Sequence, residues 1–319
     1  MIKKIIIDTD PGIDDAFALL FAKRHPQLQL MGITTVAGNA SVEQTTHNAL
    51  FLKEQFKMEV PVCQGAAVAL HGEPHQYPAH IHGHNGLGDI EIPQAVPELH
   101  SLSAVDFLIQ SIMQHPGEIT LVTLGQLTNL ALALERQPEI ASLVKEVVVM
   151  GGALGYQGHQ GNLTPVAEAN IGCDPEAAEK VFAANWPLTL VGLDVTNEIW
   201  LDTLQLNELA DKGGAEGELL ATISGCYADF YHQNTGREGV AAHDVSAIAY
   251  LVAAEHFETK QGVLRVVTQG WSRGQTQLIV KNRRLANDPD WCDLPEKTAC
   301  IGVDSKRLNQ ILMETLLYQ

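Results

Sequence analysis

Four carboxylates fall within eight residues near the start of the chain, in Asp8-Thr9-Asp10-Pro11-Gly12-Ile13-Asp14-Asp15, directly after the apolar run Ile5-Ile6-Ile7. Charges so close repel one another, and setting them beside a buried strand is costly unless a cation, a set of donors or protons offsets them. A divalent metal is the simplest offset, since carboxylate oxygens are what hard cations take as ligands. Acids in a first helical turn also complement the helix dipole without any ligand. That accounts for Asp14 taken alone but not for the group.

The elements that must hold this cluster are legible around it. An Ile run reads as a strand of a parallel sheet buried on both faces. Ala16 to Ala22 reads as the following helix, with Asp14 and Asp15 in its first turn and Asp10 in the loop before it. Ligands of open α/β sheets collect where such strands end. Further apolar runs at Leu30 to Val36, Ile119 to Leu124, Val147 to Met150 and Leu188 to Asp194 each precede a loop and a helix. This βα alternation predicts an open, mostly parallel, mixed α/β sheet flanked by helices, in a single domain over residues 1–319. The irregular stretch from about Leu70 to Pro97 is expected to be a long loop over the site.

Other polar residues sit where they can meet a ligand. Asn39 follows Thr34-Thr35-Val36-Ala37-Gly38 at a second strand end and offers both donor and acceptor. Asn162, Glu168 and Asn170 form a set suited to a polyol, in which a carboxylate accepts from vicinal hydroxyls while amides do both. His243 and Asp244 head an apolar helix, with side chains about 100° apart, so they can serve two parts of one ligand. Asp174, before Pro175 and Glu176, reads instead as a helix cap. The loop histidines His71, His75, His80 and His84 lie in a stretch whose Gly83, Gly86 and Gly88 favour a flexible lid, and they read as surface or satisfied structural groups.

Composition narrows the class. A formal charge of −18, from 38 acidic and 20 basic residues, excludes a phosphate backbone as partner. No uninterrupted apolar run is long enough for a membrane span. The start, with Lys3 and Lys4 leading into acidic residues, is read as a strand and not a signal peptide, so a cytoplasmic location is expected. Five cysteines without close spacing are expected to be buried, reduced thiols.

Taken together, DTDPGIDDA, TTVAGNAS, NLTPVAEANIGCDPEAA, GLDVT and AAHD resemble the nucleoside hydrolases, the inosine–uridine preferring ribohydrolases, from Ile5 to at least Tyr250. The bacterial non-specific ribonucleoside branch looks most similar. The resemblance implies a Rossmann-like fold, a homodimer or homotetramer, and a calcium ion held by Asp10, Asp15, Asp244 and the backbone carbonyl of Leu124. It places Asp14, Asn39, Asn162, Glu168 and Asn170 on the ribose hydroxyls, and His82 and His243 near the base. The chain departs from the family pattern at Gly125-Gln126, where Gly-Pro is usual, and at His84, where many members carry an acid.

The residues suit that chemistry. Cleaving an N-glycosidic bond passes through an oxocarbenium-like state, and needs an activated water, a restrained ribose and a stabilised leaving base. Asp10 is the expected base toward water and His243 the expected acid toward the leaving group, with Tyr227 and Tyr231 as walls. Two rivals share features of the pattern: a metal-dependent aspartyl phosphatase, from the Asp8-Thr9-Asp10 spacing, and a catalytically silent nucleoside or sugar sensor that keeps the calcium pocket.

Overall fold

The computed structural model describes residues 2–72, 77–281 and 288–318. Its strands are β1 (Lys3–Thr9), β2 (Leu28–Thr35), β3 (Val62–Gln64), β4 (Ile119–Thr123), β5 (Glu146–Met150), β6 (Leu188–Val191), β7 (Trp200–Leu201), β8 (Val240–Ala241), β9 (Phe257–Val266), β10 (Thr276–Ile279) and β11 (Glu296–Val303). Nine of them form one sheet in the order β10-β9-β11-β6-β5-β4-β1-β2-β3, and β7 pairs with β8 apart from it. From β3 across to β11 the neighbours run parallel, while β9 runs against both β11 and β10. The expected mixed, mostly parallel sheet is therefore what the chain forms.

β1 lies between β2 and β4, which explains its composition. Ile5 and Ile7 enter one core together with the helices Ile13–Arg24, His243–Ala253 and Ser305–Leu317. Ile6 enters the other, with Ala104–Gln114, Thr128–Arg136 and Pro175–Ala183. Alternate residues of a strand face opposite sides, so one apolar run serves two helical layers, each buried isoleucine contributing about 1.5–3 kcal/mol. The first helix is buried from Ile13 to Ala22, acids included.

After β1 the chain winds outward through β2 and β3, then returns across to β4 on the other side. The crevice between the ends of β1 and β4 is the switch point of the sheet, where ligands bind in open α/β folds. Asp10 follows the end of β1, and Leu124 follows the end of β4.

Three expectations need correction. The run Leu188 to Asp194 is a strand only to Val191; Leu193–Thr196 is a helical turn, because Leu193 N–H turns to Gly152 O and the Asp194 carboxylate accepts Leu154 N–H and Tyr156 N–H. The long loop contains a short helix, Ala79–His82; His71, His80 and His84 are exposed, and His75 lies outside the described residues. Cys63 and Cys300 are buried free thiols, but Cys173, Cys226 and Cys292 are only half-buried. Among the described residues no helix is long and apolar enough to cross a membrane.

Candidate active site

Asp10 is held in a cradle of backbone. A Cβ at Gly38 would overlap its Oδ2, and one at Gly125 would stand 2.5 Å from its Oδ1. Only glycine lets the two strand-end turns close on the carboxylate. Asn39 N–H donates to Oδ2 at 2.7 Å, while Oδ1 is buried without a partner.

The helix Ile13–Arg24 brings the next two acids. Asp15 is tied on both oxygens: Oδ1 accepts the Thr9 hydroxyl, and Oδ2 accepts Gly12 N–H at 2.8 Å and Asn39 Nδ2 at 3.1 Å. Asp14 receives Tyr227 O–H at 3.4 Å on Oδ2, and its Oδ1 is buried without a partner. Asp244 arrives from the first turn of His243–Ala253, delivered by the β7–β8 pair and the bond from Ala242 N–H to Ile199 O. One oxygen each of Asp14, Asp15 and Asp244 lies within 4.8 Å of the others. Burial and mutual repulsion push Asp14 up to about 8 and hold Asp10 and Asp244 well above the usual carboxylate range; burial likewise raises Asp15.

None of the ion pairs among the described residues brings a lysine or arginine to these acids. Orphaned, buried carboxylate oxygens with no cationic side chain fit a hard metal ion. The fold brings Asp15 and Asp244, expected as metal ligands, to one point. Asp14, expected on the ribose, is the third carboxylate of that group, and Asp10, expected as a metal ligand, is not one of the three but has a free Oδ1.

Leu124 O accepts Asn170 Nδ2 at 2.7 Å and keeps a second lone pair. Two of the expected hydroxyl readers also bond to backbone. Glu168 caps the helix Ala169–Cys173, accepting Asn170 N–H and Ile171 N–H there and Gly152 N–H across the turn. Asn162 is exposed and its Oδ1 accepts Ala169 N–H. Both side chains hold local backbone through these bonds, which spacing did not reveal. Asp174 caps as expected, accepting Ala177 N–H, and also binds Thr128 and Leu70 N–H. Gln126, at the departure from Gly-Pro, is buried with both side-chain polar atoms unpartnered.

Opposite the carboxylates stand imidazoles and phenols. Ile13 N–H donates to His82 Nδ1 at 3.2 Å, which leaves the ring proton on Nε2. The His82 ring lies 5.2 Å from that of Tyr227. His243 has both nitrogens engaged, Nδ1 with the Thr196 hydroxyl and Nε2 with the Tyr231 hydroxyl, each at 2.7 Å. Tyr231 and Tyr227 hydroxyls are 3.2 Å apart, so an unbroken chain runs from Thr196 through His243, Tyr231 and Tyr227 to Asp14. Burial pushes His82 down to about 3 and His243 to about 4, so both are neutral near pH 7. Thr196 was missed as a partner, although it closes the GLDVT motif. Cavities of about 670 and 500 Å³ open elsewhere and are lined by none of these residues.

On this sheet an acidic switch-point cluster faces neutral imidazoles, and the chain that carries it is similar in sequence and fold to the nucleoside hydrolases, glycosidases that act on N-glycosyl compounds. The model of the inosine-uridine preferring nucleoside hydrolases matches residues 5–310, and the chain belongs to that family. A curated relative, uridine nucleosidase 1 of Arabidopsis thaliana, is 40% identical over 91% of this chain and 85% of its own. The solved structure of a plant nucleoside hydrolase superposes with a TM-score of 0.95 at 34% identity, covering 99% of both chains. A purine-preferring ribonucleoside hydrolase from Gardnerella vaginalis gives 0.90 at 33% identity, over 99% of this chain and 98% of its own.

Proposed function

We propose that the protein hydrolyses the N-glycosidic bond of ribonucleosides, purine or pyrimidine, with calcium as its resident cation. The observation that carries this reading is the set of buried carboxylates with unpartnered oxygens at the switch point, faced by a hydroxyl and imidazole chain. Asp10, Asp14, Asp15, Asp244 and Leu124 O are the groups that would hold the ion. When bound, calcium would supply charge for the ribose hydroxyls and lower the pKa of a water.

The chain's own residues do the rest. Asp10 takes the proton of the attacking water on Oδ1, its one free oxygen. The C–N bond breaks, and the departing base leaves with the bonding pair. Because both His243 nitrogens are engaged, the proton for that base comes from the Tyr231 O–H, and the charge left on the phenol oxygen is held by the His243 Nε2–H. His82 offers a fixed Nε2–H donor and stays neutral. Asn39 orients Asp10 and Asp15 together. The proton on Asp10 returns to Tyr231 through solvent, which closes the cycle.

The test is chromatographic detection of free base from uridine, cytidine, inosine, adenosine and 2′-deoxyinosine with calcium present. Uridine heads the series because the 40% identical relative is named a uridine nucleosidase. Base and ribose in equal amounts support the proposal. Phosphate release from nucleotides without base release would support the phosphatase instead, and binding without turnover the silent sensor. Assembly into two or four copies in the cytoplasm belongs to the same reading, and sedimentation velocity checks the copy number.

A further inference from the structure

Against the Tyr231 ring lies a pair of residues that the chemistry above does not use. Trp200 in β7 packs edge-to-face on the Tyr231 ring, with centroids 4.9 Å apart and planes at 78°. The Arg237 guanidinium sits over the Trp200 ring at 3.9 Å. Both are pinned by backbone. Trp200 Nε1 donates to Glu238 O at 2.7 Å, Asn309 Nδ2 donates to Trp200 O at 2.7 Å, and Arg237 reaches Asn197 O at 3.4 Å. The register Trp200 to Ala241 in the β7–β8 pair locks this stack to the segment that delivers His243.

We propose that Trp200 and Arg237 are positioning residues for the leaving-group acid: Trp200 fixes the Tyr231 ring so that its hydroxyl meets His243, and Arg237 supplies positive charge behind it. The inference rests on the proposed role of Tyr231. Arg237 is the cation on the outer face of that aromatic stack. As the base departs, the Tyr231 proton moves to it and the phenol oxygen becomes anionic; a cation held on an aromatic ring behind that oxygen stabilises the charge as it forms. The Arg237 side chain is exposed, so substituting it leaves no cavity.

Two substrates separate the roles. A ribonucleoside cleaved in the base-release assay needs its leaving base protonated, whereas p-nitrophenyl β-D-ribofuranoside expels a stable anion. Tyr231→Phe is expected to lose about 100-fold or more in kcat on the nucleoside and little on the nitrophenyl riboside. Arg237→Met and Trp200→Ala are expected to lose about 10-fold in kcat on the nucleoside, with KM within about 2-fold and the nitrophenyl rate unchanged. Arg237→Lys and Trp200→Phe are expected to recover most of that loss. If Tyr231→Phe discriminates between the substrates but Arg237→Met and Trp200→Ala lose equally on both, or lose nothing, the inference falls and the acid assignment stands. If Tyr231→Phe does not discriminate, the acid assignment falls and takes the inference with it.

Discussion

Asp10 has its Oδ2 fixed by the Asn39 backbone N–H while its Oδ1 is left bare. Asp15, by contrast, has donors on both oxygens. Asp10→Asn preserves size and the Asn39 contact but removes basicity. It should lower kcat by about 10³-fold, while the melting temperature of the metal-free protein holds or rises because one repelling charge is gone; calorimetry beside the rate assay checks both. His243→Ala is expected to slow ribonucleosides more than the nitrophenyl riboside, since it removes the partner of Tyr231 and not the base toward water. Equal slowing of both substrates would take His243 out of the leaving-group chain.

Elements set these side chains through close approach. Gly125→Ala places a methyl against Asp10 Oδ1, and a displacement of about 1 Å in a reacting group costs on the order of 10²-fold. Kinetics with a circular dichroism control should show a folded, slow enzyme. The first strand, turn and helix were legible because cluster, apolar run and helical turn are neighbours in sequence. The role of Glu168 was not: Ser, Thr, Asp and Asn are the usual caps, so a glutamate that caps with both oxygens looks free in a sequence. Likewise Thr196 meets His243 only because β6 stops at Val191 and the chain turns at Gly192. On the far side of the sheet, Lys297 is buried in β11 with its ammonium donating to Ala184 O and Trp186 O, each at 2.6 Å, and burial pushes it down to about 8. Its folded pKa lies below the unfolded value, so its contribution to stability grows as pH rises from about 8 toward 10.5 and is lost as pH falls through 8. Denaturation of wild type and Lys297→Met across that window should show wild type gaining on the variant with increasing pH.

For the whole molecule, the parallel sheet was the most legible feature, because strands buried on both faces must be continuously apolar. The arrival of Asp244 beside Asp14 and Asp15 was not open to spacing arguments, since it depends on how the chain crosses the sheet and on the β7–β8 pair. Thorough chelation is expected to abolish base release and lower the melting temperature, with calcium restoring both more fully than magnesium, which tolerates irregular oxygen sites poorly. An Asp244→Ala variant should lose that thermal response to calcium. Scanning calorimetry with and without each ion distinguishes this from a charge cluster that needs no metal.

Asp15 belongs to the first turn of the chain's first helix and Asp244 to a helix that begins only after most of the chain has been laid down. Whatever neutralises the two together is a fastener between distant parts of the polypeptide, closing a loop that spans most of its length. Closing a loop so long costs entropy that only the folded chain's other contacts can meet, and a reversible clasp of this kind can be opened without breaking a covalent bond. During synthesis the early acids must therefore wait, with their charges unmatched, until the last quarter of the chain arrives to complete the clasp. A fragment ending before residue 240 would carry the whole opening motif and still be unable to fasten it.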